Sequence, residues 1–122
     1  MANVSRSWWA RADAATWQEV EVEVVPPLRP LVKLLTDRVE PLGADQLVHA
    51  DLTGNVLLTR DAPPGIIDIS PYWRPPAYAE GIVVADAMCW HDATASLLED
   101  ACVSAGAVAR GLLFSVLTTN EV

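Results

Sequence analysis

Proline placement limits what this chain can build more than any other feature. The ring fixes φ and removes a backbone donor, which restricts proline to helix starts, strand edges and turns. Pro26, Pro27 and Pro30 punctuate the early chain, and Pro41 follows. Pro63 and Pro64 sit in the turn at residues 61–65, and Pro71, Pro75 and Pro76 crowd residues 70–78. Before Pro41, Leu28, Leu31, Val32, Leu35 and Val39 recur at helical spacing, which predicts a short amphipathic helix. From Gln46 the apolar runs QLVHADL, VLLTR and GIIDIS are split by turn residues and read as small strands. Residues 70–78 read as an irregular loop, because their prolines deny regular backbone pairing. Beyond them, Ile82, Val83, Ala85, Asp86 and Trp90 fall on one apolar helix. Residues 97–103 and 108–117 supply two more, with a break near Gly106. The expected class is α+β, with polar residues presented by the β loops.

The first 25 residues read as an N-terminal arm whose structure the pattern leaves open, ahead of a domain covering 26–122. Trp8, Trp9 and Trp17 lie in it, and the alternation across residues 19–25 favours a short strand or an extended arm. The tryptophans mark either core packing or a surface that meets another part of the protein. At 122 residues one core is expected. The 52% hydrophobic content leaves room for surface that faces a partner.

Formal net charge is −8, with only Lys33 and seven scattered arginines, which argues against a nucleic-acid binder. Cys89 and Cys102 form no CxxC pair, and His91 beside Cys89 is far short of a zinc ligand set. Buried reduced thiols and a cytoplasmic location are expected. No secretory h-region opens the chain, and Asp86 and Arg110 interrupt the stretches closest to a membrane span, so no membrane partner is expected.

The stretch with chemical content is His49-Ala-Asp51-Leu-Thr-Gly-Asn55-Val-Leu-Leu, followed by Ile66-Ile67-Asp68-Ile69-Ser70. Each of Asp51, Asn55 and Asp68, taken singly, could merely satisfy a turn backbone. Together they supply what phosphoryl transfer requires: a carboxylate to take a hydroxyl proton, and an amide oxygen with a second carboxylate for magnesium. Asp51 is the expected base, and Asn55 with Asp68 the expected metal and nucleotide pair. His49 is expected to brace the loop by hydrogen bonding.

These two linked motifs resemble the catalytic and metal loops of aminoglycoside phosphotransferases and related small-molecule kinases, and through them those of protein kinases. The longer string from LVHADLTGNVLL to IIDISPYWRPPAYAE is similar to an uncharacterised actinobacterial subgroup of such proteins. The resemblance spans roughly Pro26 to Trp90. It implies the C-terminal lobe of a kinase-like fold, with ATP and Mg2+ as cofactors and a hydroxyl-bearing small molecule as acceptor. Two departures stand out. Asp51 and Asn55 are separated by three residues, one fewer than is usual in the family, and Gly54 is suited to a compensating turn. The acidic residue that follows the metal loop in the family has its nearest match in Glu80.

The resemblance also implies an N-terminal lobe with a nucleotide-covering loop and a strand lysine. Only forty-eight residues precede His49, their first glycine is Gly43, and their single lysine, Lys33, falls on a predicted helix. The expectation is therefore a fragment or shortened homologue lacking that lobe, with weak or no turnover alone. Its exposed apolar surface would meet the missing lobe or a second copy. A catalytically inactive interaction module is the alternative. Tyr72 and Trp73 either border an acceptor pocket or anchor their loop, and Arg74 pairs either with an anionic substrate or with Glu80.

Overall fold

The computed structural model describes residues 4–90, 94 and 96–120. His91 lies outside them. The elements in chain order are α1 (Val4–Thr16), a 3-10 turn (Pro26–Leu28), α2 (Arg29–Thr36), β1 (Gln46–His49), β2 (Val56–Leu57), β3 (Gly65–Ile66), β4 (Pro71–Arg74), α3 (Pro76–Trp90), α4 (Ser96–Asp100) and α5 (Ala105–Asn120). The class is α+β, with β1 antiparallel to β4 and β2 antiparallel to β3.

The centre of the molecule is the crossing of α3 and α5. Their glycines permit it: a Cβ on Gly111 would lie 2.5 Å from the Gly81 carbonyl, and one on Gly81 would lie 2.6 Å from the carbonyl carbon of Ala107. Helix backbones meet directly at this point. Ile82, Leu113, Phe114, Leu117 and the fully buried Tyr78 surround the crossing.

The N-terminal residues take part in the core. Helix α1 packs on α5 and contributes Ala12 and Ala15 to the core. It ends at Thr16 through a Schellman-type reversal: Gln18 N–H donates to Ala15 O (3.0 Å) and Glu19 N–H to Ala14 O (2.9 Å). Gln18 occupies the left-handed position, at φ 56°. The valines of residues 20–25 follow as the expected extended segment, with Val22 and Val24 turned toward the core and no strand pairing. Asn120 fastens this segment to the end of α5, accepting from Val25 N–H (2.8 Å) and donating to Glu23 O (3.0 Å).

Residues 70–78 correct the expectation of an irregular loop. Pro71–Arg74 is a strand in register with β1, pairing Gln46 with Arg74 and His49 with Pro71. Proline is compatible with the first residue of an edge strand, and Pro76 starts α3, where its missing N–H has no helical partner to lose. The other strands are shorter than the apolar runs suggested, and α2 stops at Thr36. Both thiols, expected to be buried, are exposed. Cys89 lies near the end of α3, and Cys102 follows α4 in a left-handed conformation at φ 55°. No helix among the described residues is long and apolar enough to cross a membrane.

Candidate functional site

The loop after β1 begins at Ala50, which is buried and held by donation of its N–H to Ser70 O (3.0 Å). Asp51 follows, half-buried. The chain then reverses through a turn closed by Asn55 N–H to Leu52 O (2.9 Å), with Gly54 at φ 81°. A side chain at Gly54 would be strained in that left-handed region, so the glycine makes the tight three-residue spacing between Asp51 and Asn55 feasible.

His49 joins the two motifs. Its Nδ1 accepts the Asp51 N–H (3.1 Å), while Nε2 lies 3.4 Å from Ile67 O. This requires the neutral ring with its proton on Nε2, since Nδ1 must keep a lone pair. Through these two contacts His49 links the loop bearing Asp51 to the backbone just before Asp68. Asn55 then ties back to Asp51: its Nδ2 donates to Asp51 O (2.7 Å) and approaches Asp51 Oδ2 (3.4 Å). Its amide oxygen accepts no hydrogen bond among the described residues. Asn55 O receives the Ile67 N–H (2.9 Å), which sets the backbone leading into Asp68 alongside the Asn55 loop.

Asp68 is exposed, makes no hydrogen bond or ion pair among the described residues, and has φ 47°. A non-glycine residue is uncommon in that left-handed region, and no hydrogen bond or ion pair among the described residues offsets its cost. The described residues contain no group of three His, Cys, Asp or Glu side chains that could hold a metal. Asn55 and Asp68 fit a magnesium ion in donor type, each offering a hard oxygen without a competing partner. Two protein ligands suffice for magnesium only where phosphate oxygens and waters complete the shell. Thr53 Oγ1, inside the turn, is buried without a partner.

The neighbouring β4 does not reach into this loop with its charge. Arg74 was expected to meet an anionic substrate or Glu80; instead it bridges Asp13 of α1 and Glu19. Its Nη2 donates to Asp13 Oδ2 (2.7 Å), and Nη1 and Nη2 donate to the Glu19 carboxylate (2.6 and 2.8 Å). The Glu19 bonds and the adjoining Asp13 carboxylate raise the guanidinium pKa, and the same pairing lowers that of Glu19. Tyr78 donates to Asp13 Oδ1 (3.0 Å), so Asp13 is buried but fully engaged. Arg110 lies over the Trp17 ring (3.8 Å) and donates to Thr16 O (3.0 Å); desolvation lowers its pKa.

Tyr72 anchors β4, edge-on to Phe114 at 6.4 Å, whereas Trp73 points into solvent. Burial pushes the Tyr72 phenol up to about 12, with the carboxylates of Asp13 and Asp51 adding to the shift and Arg74 opposing it. Glu80 lies exposed on α3.

A cleft of about 190 Å³ opens beside Asp51. Its walls include Trp9 from α1, Asp86 and Trp90 from α3, and Ser115, Thr118 and Thr119 from α5. The motif pattern gave no sign of these residues. The available signal was helical spacing: Asp86 and Trp90 lie four apart, and Ser115, Thr118 and Thr119 place hydroxyls on one face at the end of an apolar helix.

Compared with protein-family models, with curated proteins and with solved structures, the chain matches none.

Proposed function

We propose that this chain is the acceptor-side and metal-side half of a small-molecule phosphotransferase that uses ATP and magnesium. The observation that supports it most directly is the His49 bridge. One neutral imidazole holds the loop bearing Asp51 and the loop bearing Asp68, while Asn55 is hydrogen-bonded to both. In this reading Asn55 Oδ1 and the Asp68 carboxylate hold magnesium with the nucleotide, and the ion would neutralise charge on the phosphates. Asp51 orients the acceptor hydroxyl and takes its proton as that oxygen bonds to the transferred phosphorus and the bond to the ADP oxygen breaks. The kinase-like C-terminal lobe suggested by the motifs belongs to the same proposal.

Calorimetric titration with ATP, with and without magnesium, tests it. Asp68→Ala should abolish magnesium-dependent binding. Asp51→Ala should leave binding nearly intact while removing any transfer. Unchanged binding in the first variant, or unchanged transfer in the second, would refute the role assignment.

One observation favours a second reading, a non-catalytic interaction module. The β2–β3 hairpin exposes Leu57, Leu58, Ile66 and Ile69, with Leu58 77% accessible. Such a contiguous apolar stretch marks a contact surface. Sedimentation showing self-association in a folded chain that binds no nucleotide would favour this module over the enzyme.

A further inference from the structure

We infer that the extended segment after α1 is a docking edge for a strand of another protein, one in which apolar residues alternate with lysine or arginine. The inference goes beyond the phosphotransferase reading and does not depend on it.

The backbone is the first observation. Residues 20–24 run extended at the surface and pair with no strand among the described residues. The N–H groups of Val20, Glu21, Val22, Glu23 and Val24 make no hydrogen bond among the described residues, and the carbonyls of Val20, Glu21 and Val22 accept none. Both ends are nevertheless fixed. Glu19 N–H donates to Ala14 O (2.9 Å), while Asn120 donates to Glu23 O (3.0 Å) and accepts from Val25 N–H (2.8 Å). Those two Asn120 bonds are the pair that one residue of a parallel strand would make with its N–H and C=O. An amide thus already fills one rung beside this segment, and the remaining rungs are open to an added strand.

The side chains specify which strand. Val20, Val22 and Val24 line a cleft of about 240 Å³, completed by Val32 of α2 and by Leu113 and Leu117 of α5. That is below the roughly 300 Å³ at which sites for drug-sized ligands begin, and it suits the aliphatic side chains of a docked strand. Between the valines, Glu21 and Glu23 are exposed, roughly 7 Å apart along an extended chain, and Glu21 borders the cleft. Neither carboxylate has a hydrogen bond or ion pair among the described residues. The neighbouring cations lie elsewhere: Arg74 is taken by Asp13 and Glu19, and Arg29 donates through Nε to Val24 O (2.9 Å).

Charge selects the occupant. An edge carrying one sign of charge repels another copy of a chain whose net charge is −8. That chain also has no two basic residues spaced two apart, so it lacks the matching strand. A segment alternating apolar and basic residues sets its apolar side chains in the cleft and its cations beside Glu21 and Glu23.

Fluorescence anisotropy supplies the test, with neither nucleotide nor magnesium present. The probe is a labelled, end-blocked peptide alternating lysine and valine and long enough to span residues 20–24. It should bind saturably, and its lysine–serine counterpart about tenfold more weakly for want of apolar contact. Successive residues of a strand turn their N–H groups to opposite edges, so N-methylation at a central valine and at the adjacent lysine should have unequal effects. One should cost about tenfold and the other little. The double variant Glu21→Gln/Glu23→Gln should weaken binding severalfold and reduce its salt dependence while leaving the thermal midpoint unchanged. Absence of saturable binding to folded protein, equal binding of the lysine–serine peptide, equal effects of the two N-methylations, or an indifferent double variant would each overturn the assignment. The lysine–serine result separates a docked strand from mere attraction between opposite charges.

Discussion

Gly81→Ala on α3 should destabilise the protein, although alanine is the better helix former. The added Cβ would meet the Ala107 carbonyl, with the carbonyl carbon 2.6 Å away and the carbonyl oxygen closer still. Ordinary carbon contact begins near 3.5 Å, so α3 and α5 must part by about 1 Å. These are backbone atoms in a packed crossing and cannot swing aside. Overpacking of this kind costs about 1–3 kcal/mol and sometimes more, against a propensity gain of about 1 kcal/mol for replacing glycine. With the clash on backbone, the net loss should be about 2 kcal/mol, lowering the thermal midpoint by roughly 8 °C for a domain of this size. Gly106→Ala is the internal comparison. The atoms nearest its Cβ would belong to the exposed Glu40 side chain, which can rotate aside where backbone cannot, so this variant should be clearly more stable than Gly81→Ala. Urea denaturation of both variants measures the difference. A Gly81→Ala midpoint equal to that of Gly106→Ala would refute the argument that backbone contact at the crossing sets the cost.

Removing Asp13 should be far more costly than removing Glu19, although both pair with Arg74. Asp13→Ala strands the buried Tyr78 hydroxyl and one side of the guanidinium, for about 3 kcal/mol, whereas the half-exposed Glu19 should cost less than about 1 kcal/mol, both read from urea curves. The Arg74 pairing depresses the Glu19 pKa, so its contribution is present above the ordinary carboxylate value of 4.5 and lost as pH falls through its lower folded value; Glu19→Gln should flatten that acid limb. The only two tyrosines are both held neutral, Tyr72 up to about 12 and Tyr78 well above 10.0, chiefly by burial. Raised folded values mean that their contribution is complete below pH 10.0 and lost as pH climbs through the folded values, about 12 for Tyr72 and well above 10.0 for Tyr78. Phenolate absorbance should therefore stay absent at pH 10.5, given as an approximate test point, and rise only with unfolding or near the Tyr72 value; early ionisation of either would contradict the burial. Asp68→Gly should relieve the left-handed backbone and stabilise by up to about 1 kcal/mol while abolishing magnesium-dependent nucleotide binding, and a loss of stability would show that the conformation is not strained.

The apolar helices and the two motifs were legible because each is written locally. Ile82 to Trp90 and Val108 to Leu117 carry enough apolar residues to read as buried helices, and both do lie on α3 and α5. Helix α1 was not legible, for a physical reason: its inward face is Ala12, Ala15, Thr16 and an aspartate. Asp13 looks like a surface residue until Arg74, 61 positions later, arrives beside it. Strand β4 was hidden because proline reads as a breaker, and only the edge position of Pro71 makes it harmless. The grouping of His49, Asp51, Asn55 and Asp68 was visible from spacing, but the cleft was not. Its walls come from α1, α3 and α5, whose proximity depends on the glycine crossing.

The two halves of the site are supported unequally, and this bears on how it would work. Asp51 follows the buried Ala50 and a four-residue ladder between β1 and β4, with Tyr72 packed against Phe114 behind it. Asp68 hangs from a pairing only two residues long, on a hairpin whose apolar side chains face solvent. Local opening free energies follow such differences in packing, so Asp51 should be held in place before any ligand arrives and the β2–β3 hairpin should open readily. If the chain binds magnesium-nucleotide as proposed, ordering that hairpin would draw on the binding energy and lower apparent nucleotide affinity without affecting the cleft. The His49 contact to Ile67 O is the link between the firm half and the labile one, and at 3.4 Å it is a weak one. A partner covering Leu57, Leu58, Ile66 and Ile69 would stabilise the hairpin independently of that bond. Under the phosphotransferase reading, nucleotide affinity would then rise with coverage of this surface while the cleft beside Asp51 stayed unchanged, because the two rest on different parts of the fold.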